Sequence, residues 1–405
     1  MKWLIWNVRL VLETEIKKNG WILFEGDSGS GKIIAIGEGT ESMEYGNALK
    51  RAERLVDGGD NYLSPGLIDL HLHGGCGFDF MDGTEEAFRE IAAYHSTHGI
   101  TSMLATTLAG VEEETMEVLR AFTKYAPSID TCNLLGVHLE GPYFSKSQCG
   151  AQNPAFIVNP DRKQCERFIE TGCVKRISLA PELPGALEMG KALADRGILV
   201  SAGHTDADYD MVEEASRHGY RLLTHLYSGM KGVHRKGAFR YGGAVEAGLV
   251  LDNMAVEVIA DGCHLPGCLL QLVYKCKGSR EMILITDAMR GAGLPEGSCT
   301  KLGSLEQGQE VIIEDGVAKM PDRTSFAGSI ASGDRLIRTM RDLTGVPLQE
   351  IVAMMTANPA KLLGLEERKG KLQPGMDSDL IMFDEEINIR AVWTGGKCIF
   401  QEKLS

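Results

Sequence analysis

The sequence is poor in paired cysteines, in surplus positive charge and in long apolar runs. Its ten cysteines are scattered through 405 residues without a CxxC pair, and the chain reaches Arg9 before the apolar core of a signal peptide could form. Because disulfides persist only in oxidising compartments, cysteines in this pattern are expected to stay reduced. We therefore expect a cytoplasmic protein.

The charge balance and the hydropathy pattern argue against two classes of partner. The formal net charge is −14, which disfavours a nucleic-acid backbone or an anionic membrane as the main binding partner. No stretch approaches the roughly 18 uninterrupted apolar residues that a membrane helix needs. We expect neither nucleic-acid nor membrane binding, and an anionic substrate would have to find a local patch of positive charge.

The sequence does have enough apolar residues for a large core. With 43% apolar and 24% charged residues, one large domain with a small appendage fits the length. Residues 1–60 carry short apolar runs between glycine-rich turns, and residues 372–405 repeat that style, which is typical of hairpins. We predict that the two ends pair into one small β-domain.

Residues 61–371 follow a different rhythm. Short β-branched or leucine-rich runs alternate with amphipathic stretches of about a dozen residues, as in βα units. The runs begin near Leu67, Thr101, Asn133, Arg176, Ile198, Arg221, Ala255 and Met282. Helices are predicted at residues 84–98, 112–125, 161–170 and 206–218. Eight such units predict a TIM (β/α)8 barrel, in which catalytic groups cluster at the carboxyl ends of the strands.

The first of these runs ends with two histidines, His71 and His73. Strand side chains alternate between the two faces, so residues two apart point the same way, and both imidazoles can bind one metal from inside the barrel. An isolated HxH pair is a weak signal, because most such histidines only make ordinary hydrogen bonds. The interpretation therefore depends on the other strand ends.

Other runs also end with a side chain that can bind a metal. These are Glu140 at the third run, His204 at the fifth, His225 at the sixth and Asp287 at the eighth. With the histidines of the first run, they would place six ligand-capable groups at one barrel mouth, an arrangement that chance does not explain. Nitrogen and oxygen ligands suit zinc, ferrous iron or manganese, and the absence of cysteine ligands argues against a purely structural zinc site.

This set of residues predicts metal-assisted hydrolysis. A divalent metal lowers the pKa of a bound water toward about 7 and polarises the carbonyl under attack. Asp287 is the candidate general base and acid, because it could take the proton from that water and deliver it to the leaving amine. His264 follows the seventh run and could hydrogen-bond the substrate or the developing oxyanion.

Together, these motifs resemble those of the N-acetylglucosamine-6-phosphate deacetylases of the amidohydrolase superfamily, nearly from end to end. The matching segments are Pro65-Gly66-Leu67-Ile68-Asp69-Leu70-His71-Leu72-His73-Gly74-Gly75, His138-Leu139-Glu140-Gly141-Pro142, Leu179-Ala180-Pro181-Glu182, Gly203-His204-Thr205, Thr224-His225-Leu226-Tyr227, Asp261-Gly262-Cys263-His264, Thr286-Asp287-Ala288-Met289 and Ala327-Gly328-Ser329. HxH marks the superfamily broadly, whereas HLEGP followed by THLY is much narrower. The resemblance implies a homodimer, an α/β fold with a barrel flanked by a small β-sandwich from both termini, and hydrolysis of N-acetylglucosamine 6-phosphate to glucosamine 6-phosphate and acetate.

The resemblance also implies roles for individual residues. Glu140, His204 and His225 would hold the principal divalent metal, Zn²⁺ or Fe²⁺. The presence of His71 and His73 leaves room for a second metal bridged by Glu140. A carbamylated-lysine bridge is not expected, because the fourth run ends without a lysine.

Further residues are assigned to acid/base chemistry and to the substrate. Asp287 would be the general acid/base beside the metal, and His264 would touch the sugar or the carbonyl oxygen. The residues expected to line the substrate pocket are Ala151, Gln152, Phe326 and Ala327.

The chain departs from the family pattern where phosphate binding is expected. Ser228-Gly229-Met230 stands in place of the usual Asn-Ala-Met, whose backbone amides help to hold the phosphate. The backbone donors survive this change, but the loop gains flexibility and loses an amide side chain. A family arginine that reaches the partner subunit's phosphate should fall near Arg235 and Lys236, because Arg and Lys are the usual phosphate binders. A plain solvated loop is the alternative interpretation of this basic run.

Other functions remain open at this point. Within the superfamily, the substrate could be N-acetylgalactosamine 6-phosphate or an unphosphorylated amino sugar. Deamination or opening of a cyclic amide is a further option, although ring-opening relatives usually carry a lysine on strand 4 that is missing here. The chain could also be a catalytically dead barrel that serves as an assembly protein, but such proteins typically lose metal ligands.

Overall fold

A computed structural model describes residues 1–27 and 29–402. The two ends of the chain meet in one mixed eight-stranded sheet, as the hairpin pattern predicts. Its spatial order is Lys397–Gln401, Ile389–Thr394, Leu380–Phe383, Tyr62–Pro65, Lys2–Val11, Ile16–Glu25 and Ile33–Glu38, with Arg54–Asp57 paired to Lys2–Val11. Residues 403–405 of the predicted C-terminal segment lie outside the described residues, and the boundaries after residues 60 and 371 stay predictions.

Aromatic side chains hold this terminal sheet together. Trp3 and Phe24 from the N-terminal strands each place their ring centroid 6.1 Å from that of Trp393 on a C-terminal strand. All three side chains are buried in one apolar core. Because the rings come from opposite ends of the chain, this packing ties the two termini into a single unit.

Residues 67–284 supply the barrel strands, which we number β1 to β8. They are β1 Leu67–Leu72, β2 Ile100–Thr106, β3 Asn133–Glu140, β4 Val174–Leu179, β5 Leu199–Ala202, β6 Tyr220–Leu223, β7 Ala255–Val258 and β8 Met282–Leu284. All neighbours from β1 to β8 pair in parallel and in chain order. Each strand begins within two residues of its predicted start. The predicted α/β barrel with a sheet from both termini is confirmed.

The seam between β8 and β1 closes at the carboxyl ends of the two strands. The Asp287 amide donates to the His71 carbonyl at 2.9 Å, and the His73 amide donates to the Ala288 carbonyl at 2.7 Å. These bonds hold the backbone at the end of β1, which carries both histidines, against the backbone that follows β8. The side chains predicted to bind a metal are therefore brought together by the closure of the barrel itself.

Helices cover the outside of the barrel. They are Glu85–Thr97, Glu112–Tyr125, Arg162–Ile169, Ala186–Ala194, Tyr209–Arg217, Ala244–Val250, Gly267–Lys277, Gly333–Thr344 and Leu348–Ala353. Ala357–Leu362 packs in a separate cluster with strand residues such as Ile68 and Ile283, and Met43–Arg51 lies beside the terminal sheet. Short 3-10 turns occur at Phe80–Asp82, Ala126–Ser128 and Lys146–Gln148. Local chemistry sets these boundaries: Thr84, for example, caps the helix Glu85–Thr97 by accepting from the Ala87 amide at 3.2 Å.

Smaller sheets are formed by the loops that follow barrel strands. A three-stranded sheet, Cys299–Leu302, Gln309–Glu314 and Val317–Lys319, follows β8. The hairpin His234–Lys236 with Phe239–Tyr241 follows β6, and Gly74–Gly75 pairs with Phe78–Asp79. In the described part of the chain, no helix is both long and apolar enough to cross a membrane.

Candidate metal centre at the barrel mouth

Glu140 lies at the centre of the predicted ligands. It is the last residue of β3, and its Oε1 lies 3.0 Å from His225 Nε2, 3.2 Å from His204 Nε2 and 3.4 Å from His71 Nε2. Its Oε2 lies 3.4 Å from His73 Nε2. One carboxylate thus touches imidazoles from three separate strand ends, in the arrangement that a shared metal ligand requires.

Asp287 lies opposite Glu140, and the six predicted ligands between and around them form a ring of side chains, called the ring below. Asp287 Oδ1 lies 3.3 Å from His73 Nε2 and 3.5 Å from His71 Nε2. Two triads of residues each have their ligand atoms within 4.8 Å of one another. One triad is His71, Glu140 and His225, and the other is His71, His73 and Asp287. The two triads hold five of the residues that the sequence proposes as ligands, and the sixth, His204, joins them through its contact with Glu140.

The backbone of this ring is strained where three of the ligands sit. His204, His225 and Asp287 have positive φ angles of 46°, 30° and 48°, a region that residues other than glycine rarely adopt. Each residue lies two or three positions beyond the last residue of a barrel strand, so the chain turns sharply there while the side chain points into the mouth. Strain of this kind persists where the surrounding structure enforces it, and it is concentrated at functional sites.

Two of the imidazoles are oriented by backbone carbonyls. His204 Nδ1 bonds to the Gln148 carbonyl at 2.8 Å, and His225 Nδ1 bonds to the Ser228 carbonyl at 3.1 Å. A carbonyl only accepts, so each Nδ1 carries the proton and each Nε2 presents a lone pair to the ring. This is the usual support for a histidine that binds a metal.

The buried charges of the ring favour a bound cation. Burial alone would lower the pKa of His71, but the carboxylates of Glu140 and Asp287 outweigh it and raise that pKa to about 9. The same carboxylates raise the pKa of His73, against burial, to about 10. His71 Nε2 is nevertheless buried without a hydrogen-bond partner. A divalent cation fits these donors, because it would satisfy that nitrogen and compensate the buried carboxylates.

A polar layer lies beneath the ring, where barrels usually carry branched apolar side chains. Arg176 on β4 and Glu257 on β7 form a buried ion pair there. Although burial raises the pKa of Glu257, Arg176 and His71 lower it to about 2. His138 on β3 bonds to Ser178 Oγ at 2.7 Å, and burial together with Arg176 lowers its pKa well below the usual range.

The sequence analysis missed the pair Arg176 and Glu257. A signal was present, because Glu257 interrupts the otherwise apolar strand β7 and Arg176 follows Lys175 within β4. Charged residues are almost never fully buried unless they are paired. His138 was quoted as part of a motif without a role. Its side chain belongs to this supporting layer and not to the ring.

A cavity of about 210 Å³ opens above the ring. It is lined by His73, Leu108, Glu140, Gly150, Ala151, Gln152, His204, His225, Ser228, Gly229, His264, Asp287, Leu302, Ser325, Phe326 and Gly328. The His264 ring is held by Asp261, whose Oδ2 lies 2.8 Å from His264 Nδ1, and it lies 4.7 Å from the Phe326 ring. His264 Nε2 is thereby left available to a bound molecule.

Most of the predicted substrate residues reach this cavity. Ala151, Gln152 and Phe326 are among its walls, and Gln152 Nε2 also donates to Glu140 Oε2 at 2.7 Å. Ala327 is fully buried behind the wall and is not among the lining residues. Gln152 thus has a supporting contact to the ring that the sequence analysis did not anticipate.

The two predicted phosphate contacts are placed differently. Ser228 and Gly229 line the cavity, but the Ser228 amide already donates to the His225 carbonyl at 2.9 Å. Arg235 and Lys236 lie in the exposed hairpin and do not line this cavity. Lys236 pairs with Asp208, whereas Arg235 faces Arg240 across the hairpin.

Comparisons with known proteins agree with this geometry. Residues 62–402 match the model of the amidohydrolase family. The chain is 34% identical over 345 residues to N-acetylglucosamine-6-phosphate deacetylase of Lysinibacillus sphaericus, covering 84% of this chain and 86% of that protein. It is 32% identical over 341 residues to N-acetylgalactosamine-6-phosphate deacetylase of Escherichia coli O157:H7, covering 83% and 87%.

A solved structure matches over the whole fold. A variant of N-acetyl-D-glucosamine-6-phosphate deacetylase from Mycobacterium smegmatis, in complex with N-acetyl-D-glucosamine-6-phosphate, aligns with a TM-score of 0.87 and 27% identity over 99% of both chains. Barrel, terminal sheet and buried ligand ring thus occur together with sequence similarity along most of the chain. The chain belongs to the amidohydrolase family, and N-acetylglucosamine-6-phosphate deacetylases are its homologues over most of its length.

Proposed function

We propose that this protein hydrolyses the acetamide of N-acetylglucosamine 6-phosphate to glucosamine 6-phosphate and acetate. The observation that carries the proposal is the buried ring of six ligand-capable residues, five of which line one cavity. The deacetylases named above support the choice of substrate, because two of them act on, or were solved with, the gluco-configured sugar phosphate.

Glu140, His204 and His225 would hold the principal ion, Zn²⁺ or Fe²⁺, and His71, His73 and Asp287 would hold a second. The donors are imidazole nitrogens and carboxylate oxygens, which both metals accept. A divalent cation bound there supplies Lewis acidity, which polarises a carbonyl and acidifies water. The metal content is thus expected to be one or two ions per subunit.

The protein's own groups would carry the proton transfers. Asp287 accepts a proton from the attacking water at its carboxylate and returns it to the departing nitrogen, because an amine leaves readily only when protonated. His264, fixed through Nδ1 by Asp261 at 2.8 Å, offers Nε2 to the carbonyl oxygen or to a sugar hydroxyl. The two residues line the same cavity from different loops, so their tasks are separable.

The substrate would be held by the cavity walls and by the exposed hairpin. Ala151, Gln152 and Phe326 line the cavity, and Ala327 supports the wall from behind. The phosphate would meet the Ser228-Gly229 loop and, across a homodimer, Arg235 or Lys236 of the second copy. Arg235 faces another arginine, so a bound anion would relieve that repulsion. Homodimer formation and a cytoplasmic location stay predictions.

Acetate release after reconstitution with Zn²⁺ or Fe²⁺ tests the proposal. The panel contains N-acetylglucosamine 6-phosphate, N-acetylgalactosamine 6-phosphate and unphosphorylated N-acetylglucosamine. We expect the highest kcat/KM on the first. A higher value on the galacto sugar, the substrate named for the Escherichia coli O157:H7 relative, would reassign the substrate. Metal-free protein that remains inactive after reconstitution would favour the dead scaffold.

A further inference from the structure

Arg176 crosses the barrel interior and has every one of its donors satisfied. Its five N–H groups meet five acceptors. These are Ser201 Oγ at 3.1 Å from Nε, the Leu70 carbonyl at 3.1 Å and Glu257 Oε1 from Nη1, and Thr224 Oγ1 at 3.1 Å and Glu257 Oε2 at 2.9 Å from Nη2. Arg176 and Glu257 are both 0% exposed. The guanidinium is therefore held in one orientation, and the fork in turn fixes the carboxylate of Glu257.

The Oε2 atom of Glu257 is directed toward the ring. Glu257 Oε2 lies 3.4 Å from His71 Nδ1 and accepts from the His225 amide at 3.3 Å. An ionised carboxylate only accepts, so in the neutral imidazole, the form that binds a metal, it selects the tautomer in which His71 Nδ1 carries the proton and Nε2 has its lone pair toward the ring. His71 Nε2 is the nitrogen that lies near both Glu140 and Asp287.

Glu257 also touches the backbone of His225, but no other imidazole of the ring is hydrogen-bonded to this pair. His204 and His225 are oriented by backbone carbonyls, whereas His73 Nδ1 is buried without a hydrogen-bond partner. Among the histidines of the ring, only His71 thus has its Nδ1 bonded to a charged side chain.

We propose that the buried pair of Arg176 and Glu257 is a positioning device that aims His71 Nε2 at the ring and so determines retention of the metal shared by His71, His73 and Asp287. The inference rests on the proposed metal-dependent function. It goes beyond that function by assigning control of the second ion to residues that touch neither metal nor substrate. Removing the pair should release this ion and spare the one held by Glu140, His204 and His225.

A purely structural role makes a different prediction. Buried ion pairs can often be replaced by apolar residues of similar volume without loss of stability, whereas removing one partner leaves an uncompensated charge. The informative variant is therefore the double replacement Arg176→Met with Glu257→Leu, which removes both charges together. If the pair only filled the barrel, this variant would fold and bind metal like the wild type.

The experiment measures metal binding without substrate. Metal-free wild type, the double variant and Glu257→Gln are titrated with Co²⁺ while the visible absorption of the bound ion is followed, and Zn²⁺ per subunit is counted after dialysis against buffered free zinc. Thermal unfolding of the metal-free proteins by circular dichroism shows whether each variant folds. The matched control is Lys369→Met with Asp379→Leu, another buried ion pair, located away from the ring.

We expect two binding steps in the wild type and in the control. In the double variant, and in Glu257→Gln if it folds, the weaker step should lose about 10- to 100-fold in affinity, while the tighter step changes by less than about threefold. An unchanged second step in the folded double variant, or equal loss of both ions, would overturn the proposal. A single ion in the wild type that survives in the double variant would also overturn it, while acetate release would still test the deacetylase activity separately.

Discussion

The two halves of the metal ring have similar ligands but different supports. In the half formed by Glu140, His204 and His225, both imidazoles are oriented by backbone carbonyls. In the other half, His71 is oriented by a carboxylate at 3.4 Å, and His73 Nδ1 has no partner. A backbone carbonyl cannot ionise or be replaced by substitution, so the first half is the better preorganised one. Two adjacent candidate metal sites can thus have the same types of donor and still differ in how firmly those donors are held.

The largest expected effect breaks the better-supported half. His204→Ala or His225→Ala removes a ligand from a site with few protein donors, so retention of the principal metal should be abolished and activity should be lost with it. Metal content after dialysis and acetate release measure the two losses. The matched control, His71→Ala with His73→Ala, should lose only the second ion. If the control lost all metal while His204→Ala kept it, the ranking of the halves would be reversed.

The next effect separates proton transfer from metal binding in the weaker half. Asp287→Asn keeps the size of the side chain but removes its proton acceptance, so kcat should fall by about 10²- to 10⁴-fold. KM and the ion held by Glu140 should be largely preserved, which steady-state kinetics and metal analysis can verify. His264→Asn is the comparison variant. Near-normal kcat in Asp287→Asn together with an inactive His264→Asn would transfer the acid/base role to His264.

A smaller effect should follow from disturbing the backbone support of His204. Gly229 has φ +56°, and a Cβ there would lie 2.9 Å from His204 Nδ1 and 3.2 Å from the Gln148 carbonyl. Gly229→Ala should therefore lengthen the hydrogen bond that orients His204. The affinity for the more tightly bound metal should fall by about 10- to 100-fold. Gly172→Ala is the control, because Gly172 has φ +77° and no atom within 4 Å of the added Cβ. Equal metal affinity in the two variants would show that the contact does not support the site.

The smallest expected effect concerns the exposed hairpin, which belongs to neither half of the ring. Arg235→Ala with Lys236→Ala should raise KM for the phosphorylated sugar by about 10-fold, because hydrogen bonds to a charged group are lost. The value of kcat should hardly change, since the phosphate is gripped alike in ground and transition states. Lys50→Ala with Arg51→Ala changes the net charge equally on a distant helix. Matching KM values in both double variants would remove the hairpin from the substrate site.

The sequence predicted most of the fold because the signals it uses are local. Run length and period locate the strands, and β1 to β8 begin within two residues of the predicted positions. Parallel strands in a barrel place their carboxyl ends at one rim, so a ligand type at a strand end is enough to predict a shared mouth. His71 and His73 share a face because they are two apart on one strand, and Glu140 ends its strand because Gly141-Pro142 turns the chain away.

Tertiary structure decided how most of these ligands are supported. The pairing of Arg176 with Glu257 depends on the stagger between β4 and β7, which no local pattern encodes. His225 is the exception, because it is oriented within its own turn by the Ser228 carbonyl. The same turn engages the Ser228 amide, although the sequence suggests a free phosphate donor there. The sequence by itself therefore determined which groups meet at the barrel mouth. The three-dimensional packing determined which nitrogen of His71 and of His204 faces the other ligands, because their hydrogen-bond partners, Glu257 and the Gln148 carbonyl, come from another strand or loop.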